Sequence, residues 1–253
     1  MMSFMQSIDQ CMNHALQAGV LQPIKFHAEQ VPTHGVHFQV CWIPALSAKV
    51  NDVPQGFPGG VQQPDFNPFL PPDPNLTLGR LGDYHHVVLN KFPVCQHHLV
   101  IPRVDYADQR SPLQYEDFLA LSLLLTEHQG LGFFNGGPEA GASQHHLHVQ
   151  WLPEALNNPS LLPFIHDLDP ELEHQPQQHK HWNFAHAFVY VGQPADPYEY
   201  ARELYCCYQS LCQYLKLTVC EQGFMAPLNL LVQQGWLLMV PRSQDQVNDI
   251  CLN

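Results

Sequence analysis

Polar and apolar residues alternate most strictly over His146-Leu147-His148-Val149-Gln150-Trp151. A strand repeats every two residues, so His146, His148 and Gln150 share one face while Leu147, Val149 and Trp151 turn toward a core. Over 2–18, Phe4, Ile8, Cys11, Met12, Ala15 and Leu16 recur at helical spacing and Gly19 closes the run, which predicts a packing helix. Residues 36–43, rich in Val, Phe and Trp, predict a strand. The Pro-, Gly-, Gln- and Asn-dense stretch 54–74 predicts a long loop suited to covering a substrate. Short strands follow over 84–90 and 97–102, joined around Phe92-Pro93. Ser111-Pro112-Leu113-Gln114 reads as a capping box with proline at the first helical position. The helix it opens buries Phe118, Leu121, Leu124 and Leu125 and ends near Gly130; a strand over 131–135 comes next. Residues 167–181 are polar and read as a flexible connection, and 182–191 as a strand. Asp196-Pro197 caps a helix with a buried stripe of Ala201, Leu204, Tyr208, Leu211 and Leu215. Last, 228–233 and 236–240 pair as a hairpin across Gln234-Gly235.

Between the 131–135 strand and the alternating stretch lies Gly136-Gly137-Pro138-Glu139-Ala140-Gly141-Ala142-Ser143. Glycines there let backbone N–H groups approach an anion closely. A phosphate-cradling loop that runs into a strand with imidazoles on one face points to nucleophilic attack on phosphorus. Two plainer readings compete: an ordinary half-buried strand, and a His-x-His zinc chelate. With 17 histidines in 253 residues, some such pairs arise by chance. The joint occurrence of glycine loop, Ser143-Gln144 and His-x-His-x-Gln favours a functional site.

Composition narrows the partners. A hydrophobic content of 45% over 253 residues predicts a folded globular chain, as one large domain or two closely packed halves. The formal charge of −13, from 23 acidic against 10 basic residues, excludes a nucleic-acid surface. It also means that cations near an anionic substrate are few and individually placed. Eight cysteines form no Cys-x-x-Cys pair, so no zinc ribbon or thioredoxin-type site is written here. With no signal-like start and no apolar run of membrane-spanning length, the expectation is a soluble cytoplasmic protein with reduced cysteines. Taken alone, Lys49 reads as a solvated lysine and Lys91 as a turn lysine beside Asn90 at a strand end, where ligand groups often sit. His98 reads as a packed core histidine rather than a catalyst.

The string His146-Leu147-His148-Val149-Gln150-Trp151-Leu152 resembles the histidine-triad superfamily, in the branch where glutamine replaces the third histidine. Phe134-Asn135-Gly136-Gly137 through Gln150 is similar to the diadenosine tetraphosphate phosphorylases, or ATP adenylyltransferases. Asn67-Pro68-Phe69, Asn90-Lys91-Phe92-Pro93, His98-Leu99-Val100 and Trp236 through Arg242 match the same pattern in order, so the resemblance covers most of 35–243.

The resemblance implies an α+β fold, a histidine-triad-like antiparallel sheet with flanking helices, over one domain 1–253 with halves at 1–165 and 182–253. It implies His148 as the nucleophile that forms an adenylyl-histidine from a dinucleoside polyphosphate, with inorganic phosphate then giving ADP and the first step releasing ATP. His146 would hold the imidazole in its tautomer, and Gln150, being neutral, would hydrogen-bond a phosphoryl oxygen without donating a proton. Asn135, Gly136, Gly137, Ser143 and Gln144 would stabilise charge on the transferred group; Lys49, Asn90 and Lys91 would hold the polyphosphate. No metal is required, and magnesium accompanying the nucleotide is compatible with these residues. Nucleic acid and membrane are not expected partners; oligomeric state is open, and Arg242 is either a ligand or a solvated strand-end arginine.

Two departures stand out. Gln233-Gln234 replace a basic residue often carried after the Asn-Leu-Leu strand, which removes one phosphate contact. Family members continue beyond the position of Asn253, either because this chain is truncated or because it belongs to a short subgroup, which leaves the C-terminal contribution to the pocket open. The competing functions are a hydrolase of the same superfamily, a hexose-1-phosphate uridylyltransferase, whose zinc-binding cysteines have no counterpart here, and a non-catalytic histidine-rich metal binder.

Overall fold

Eight strands in the order β3-β4-β5-β7-β6-β9-β10-β8 make one sheet, every neighbouring pair antiparallel. They are β3 (Thr77–Leu81), β4 (His85–Leu89), β5 (Leu99–Pro102), β6 (Leu131–Gly136), β7 (His148–Leu152), β8 (Ala187–Tyr190), β9 (Leu228–Gln233) and β10 (Trp236–Pro241). A separate hairpin pairs β1 (His27–Thr33) with β2 (Val36–Trp42), and β11 (Gln246–Val247) pairs with β12 (Ile250–Cys251). Three helices complete the fold: α1 (Phe4–Gln17), α2 (Tyr115–His128) and α3 (Pro197–Tyr214). This computed structural model describes residues 3–24, 27–33, 36–42, 66–93, 95–155, 158–247 and 250–251. Lys49 and most of the 54–74 loop lie outside the described residues. The architecture is α+β with an antiparallel sheet. No helix among the described residues is long and apolar enough to cross a membrane.

The helices cover one face. Phe118, Leu121 and Leu124 of α2, with Ala201, Leu204 and Leu211 of α3, pack in one core with Leu147, Val149, Trp151, Leu230, Val232 and Met239 from alternate strand positions. The opposite face has a smaller cluster, around Leu131, Leu152, Leu161, Phe188, Trp236 and Leu238. On that face, between Val100 of β5 and Phe133 of β6, β7 presents Gln150.

Local chemistry explains the element ends. Ser3 and Gln6 cap α1 reciprocally, Ser3 N–H to Gln6 Oε1 at 2.9 Å and Gln6 N–H to Ser3 Oγ at 3.3 Å. Asp196 Oδ1 accepts the Tyr198 N–H at 2.8 Å, with Pro197 at the first position of α3, as the sequence predicts. The β9–β10 hairpin turns on Gln234 (φ 47°) and Gly235 (φ 79°). Both are left-handed, as a twist-compatible two-residue turn requires.

Four expectations need correction. The cap of α2 is Gln114, not Ser111: the buried Asp117 carboxylate takes the Gln114 N–H at 2.7 Å, while Ser111 N–H bonds Asp108 O in a turn. The segment 167–181 is not a flexible connection. It lies along β8, with Gln177 and Phe188 exchanging both backbone hydrogen bonds and His174 N–H donating to Tyr190 O. The strand read over 182–191 begins only at Ala187, because 182–186 turns back on itself, His186 Nε2 accepting the His179 N–H at 2.8 Å. His146 precedes β7, joined to Asp108 by an isolated bridge.

Candidate active site

Strand β7 runs between β5 and β6, with Val100 opposite Gln150, Pro102 opposite His148, and Phe133 opposite Gln150. Its pairing with β6 stops at Phe133. Where the next rung would fall, the Gln109 carboxamide stands in. Its Oε1 accepts the His148 N–H at 2.8 Å, and its Nε2 donates to Asn135 O at 2.8 Å and His148 O at 3.2 Å. Gln109 is 2% exposed, so these bonds satisfy it without water. A carboxamide has the donor and acceptor of a peptide unit, and here it takes a peptide unit's place.

His148 donates Nδ1–H to the His146 carbonyl at 2.7 Å. A carbonyl oxygen only accepts, so the proton is on Nδ1 and Nε2 carries the lone pair. Nε2 has no hydrogen bond among the described residues. Burial pushes the His148 pKa down to about 4, against the opposing pull of the His146 carbonyl, so the ring is neutral near pH 7. The Phe69 ring lies 5.3 Å from it, centroid to centroid. His146 is itself fixed at both nitrogens: Nε2–H donates to Arg103 O at 2.8 Å, and Nδ1 accepts from Asn67 Nδ2 at 2.9 Å. Arg103 is anchored in turn by Asp117, which its Nε reaches at 2.9 Å and its Nη2 also contacts, and His85 Nε2 donates to the same carboxylate at 3.1 Å. Burial works to raise the Asp117 pKa, but hydrogen bonds from Arg103 and His85 outweigh it and hold the carboxyl below its usual range.

Gln150 is oriented by a second series of bonds. Phe92 N–H donates to Asn90 Oδ1 at 3.0 Å, Asn90 Nδ2 to His98 Nδ1 at 3.1 Å, and His98 Nε2–H to Gln150 Oε1 at 2.9 Å. The series starts at a group that only donates, so each direction follows, and the Gln150 NH₂ remains as a donor on the His148 face. His98 is buried, as expected, and burial lowers its pKa to about 4. It is nevertheless a partner of Gln150, a role the sequence reading missed. Asn90 has both ends of its amide engaged in this series.

The remaining candidates are spread around the site. Asn135 continues β6 opposite Asn229, on the face of Phe133 and away from Phe134, and its Oδ1 accepts from Asn229 Nδ2 at 2.8 Å. At Gly136 a Cβ would stand 2.9 Å from the Phe134 ring and 3.2 Å from Leu228 O, so only glycine fits. Gly137 (φ 99°) starts the 3₁₀ turn Pro138–Ala140, and its N–H is taken up by Asn135 O at 3.2 Å. Ser143 and Gln144 are half-buried in the segment leading to His146. Lys91 is exposed, its Nζ 5.4 Å from the Phe92 ring centroid, outside the imidazole cluster. Gln109 and Arg103 had no spacing or neighbour in sequence to mark them, and Asn229 reads only as the start of the Asn-Leu-Leu strand. Among the described residues no three His, Cys, Asp or Glu side chains converge as a metal-binding group.

Residues 2–167 match the family described as the Ap4A phosphorylase N-terminal domain. The chain belongs to that family. Residues 180–253 match the ATP adenylyltransferase C-terminal domain. Diadenosine 5′,5‴-P1,P4-tetraphosphate phosphorylase 2 of Saccharomyces cerevisiae is 30% identical over 206 residues, 70% of this chain and 61% of the relative. Protein APA1 of the same yeast is 27% identical over 200 residues, 70% of this chain and 62% of the relative. This chain thus spans about three fifths of the length of these curated relatives. Two crystal structures of yeast Ap4A phosphorylase Apa2 share the family's fold with it. The complex with AMP gives a TM-score of 0.76 at 22% identity, covering 98% of this chain and 82% of that one. The complex with Ap4A gives 0.75 at 24%, covering 97% and 83%.

Proposed function

We propose that the protein is a nucleotidyltransferase that phosphorolyses diadenosine tetraphosphate to ADP and ATP, and runs the reverse adenylyl transfer. The observation that carries this reading is the protonation of His148: Nδ1–H is held by the His146 carbonyl, leaving Nε2 as a lone pair on a buried, neutral ring. Nε2 attacks the α-phosphorus; the N–P bond forms as the bond to the bridging oxygen breaks, and ATP departs. Positive charge developing on the ring is shared with Nδ1–H and stabilised by the His146 carbonyl. Gln150 donates to a non-bridging oxygen but has no proton to give the leaving group, which must therefore be a good one. An oxygen of inorganic phosphate then attacks phosphorus, the N–P bond breaks, and ADP leaves with the imidazole restored.

In this reading Asn135, Gly136, Gly137, Ser143 and Gln144 surround the transferred phosphoryl, while Asn90 through His98 sets Gln150. Lys49 and Lys91 serve the distal phosphates as point cations. Magnesium, if used, arrives on the nucleotide, and the reaction belongs in the cytoplasm. Halves 1–165 and 182–253 act as one unit, since β9 pairs with β6.

The test is product analysis on diadenosine tetraphosphate with and without inorganic phosphate. Phosphate-dependent ADP plus ATP, lost in His148→Ala, supports phosphorolysis. AMP plus ATP without phosphate dependence replaces it with hydrolysis.

A further inference from the structure

Arg242 follows β10 immediately, half-buried, with its backbone N–H on Pro227 O at 2.8 Å. Its Nη1 donates to Asn229 Oδ1 at 2.8 Å and its Nη2 to Gln244 O at 3.1 Å. Asn229 Nδ2 donates to Asn135 Oδ1 at 2.8 Å and to Ala140 O at 2.7 Å. A guanidinium has donors and no acceptor. Asn229 must therefore turn its oxygen to Arg242 and its NH₂ to the two oxygens on the other side. Asn135, having accepted at Oδ1, keeps its own NH₂ as a donor, and that group makes no hydrogen bond among the described residues.

Asn135 lies two residues beyond Phe133 on β6, and Phe133 is opposite Gln150. One step on, His148 is the residue facing Asn135, and the Gln109 carboxamide bonds both of their backbones. The site is thus bounded by two amides whose direction is set from outside, Gln150 from the Phe92 N–H and Asn135 from Asn229, which the Arg242 guanidinium on its oxygen and the Ala140 carbonyl on its NH₂ hold the same way round. An amide free to turn has to be swung donor-first by the phosphoryl group itself, whereas one already fixed costs no reorganisation as charge develops.

We infer that Arg242, acting through Asn229, is a positioning residue that forces Asn135 to present its NH₂ to the phosphoryl group on His148. It is neither a direct ligand of the polyphosphate nor an idle surface arginine. Anchored by the same Asn229 amide, the Ala140 carbonyl ties the glycine-loop turn to this relay. The inference rests on the adenylyl-transfer reading, since it assigns Asn135 a phosphoryl partner.

A double-mutant cycle tests it, read as kcat and KM for phosphate-dependent release of ATP from diadenosine tetraphosphate. Asn135→Ala should lower kcat by about 100-fold, the usual effect of removing one donor to a developing charge. Arg242→Gln, which can offer either end of its amide to Asn229, should lower kcat about ten-fold with KM little changed, and should have no further effect in the Asn135→Ala background. Asn229→Asp keeps a partner for Arg242 but presents only acceptors to Asn135, and should lose at least as much kcat while staying folded by thermal unfolding. Equal losses from Arg242→Gln with and without Asn135, or a loss confined to KM, would overturn the relay and make Arg242 a direct phosphate ligand. Wild-type turnover abolished by His148→Ala is the control for the reaction itself, so an uncoupled cycle sinks the relay alone, whereas an inactive wild type sinks the functional reading.

Discussion

The two ends of the β6–β7 pair are built differently. From Leu131 to Phe133 the strand pairs rung by rung with Leu152 to Gln150. At Asn135 and His148 the same strands are bridged by the Gln109 carboxamide. A paired ladder holds strands about 4.8 Å apart; a side-chain amide inserted between them requires more. The regular end supplies rigidity, backed by Trp151 and Phe134 in the helix-side core. The wedged end holds His148 and Asn135 on one face, where the proposed reaction would place the phosphoryl group. The rung that would close the site is replaced by a group that satisfies the same backbone atoms without closing it.

The largest blow to the wedged end is His148→Ala, which should reduce phosphorolysis by about 10⁴-fold or more, the scale of removing a covalent nucleophile, with the unfolding temperature little changed. Next comes Gln109→Leu. It strands the His148 N–H and the Asn135 and His148 carbonyls, at a cost of about 2 kcal/mol, or roughly 4–8 °C in Tm, and kcat should fall by about 100-fold as His148 loses its register. If kcat holds while Tm drops, the wedge is only structural. A matching substitution at the regular end, Phe133→Leu, should move both far less. His98→Phe keeps the bulk but frees Gln150 to turn, and should cost about ten-fold in kcat; an unchanged kcat would show that Gln150 needs no setting.

The smallest and most diagnostic effect is on pH. His148 and His98 are held neutral down to about pH 4, whereas each would take up a proton near pH 6.5 in the unfolded chain. The unfolded state then binds more protons between pH 6.5 and about 4, so stability is undiminished above that window and falls as pH drops through it. The urea midpoint should decline from pH 7 to pH 5, less steeply in His98→Phe. Over the range where the protein stays folded, the single-turnover adenylation rate should show no inflection near pH 6.5; one there would mean that water reaches His148.

Much of this was legible from sequence, for identifiable reasons. Period-two alternation placed Val149 and Trp151 in the core and His148 and Gln150 opposite because that pattern is local and strict. Asp196-Pro197 and Gln234-Gly235 acted within a few residues, so the α3 cap and the β9–β10 turn were readable. What escaped depends on partners far along the chain. Gln109 reaches Asn135 and His148, His98 reaches Gln150, and Asn229 reaches Asn135, separations of 26 to 94 residues. A lone glutamine in a turn or a lone histidine before a strand has no periodicity to announce it. The α2 cap was misplaced for the same reason: Asp117 is fixed by Arg103 and His85, which no local rule for helix starts takes into account.

The Asp117–Arg103 pair also bears on how the proposed substrate would arrive. Asp117 occupies the guanidinium of Arg103, whose backbone carbonyl holds His146, and Asp108 does the same to Arg110 with two further hydrogen bonds, from Nε at 2.8 Å and Nη2 at 2.7 Å. Of ten basic residues in a chain of formal charge −13, two beside the site are thereby neutralised in place. A polyanion approaching this surface meets net repulsion at long range and, at short range, dipoles around the transferred phosphoryl with only the few lysines proposed for its distal phosphates. Added salt shortens the reach of that repulsion, to about 8 Å at physiological ionic strength. Capture of the nucleotide should therefore quicken with ionic strength, opposite in sign to a site that steers its anion with exposed lysines and arginines.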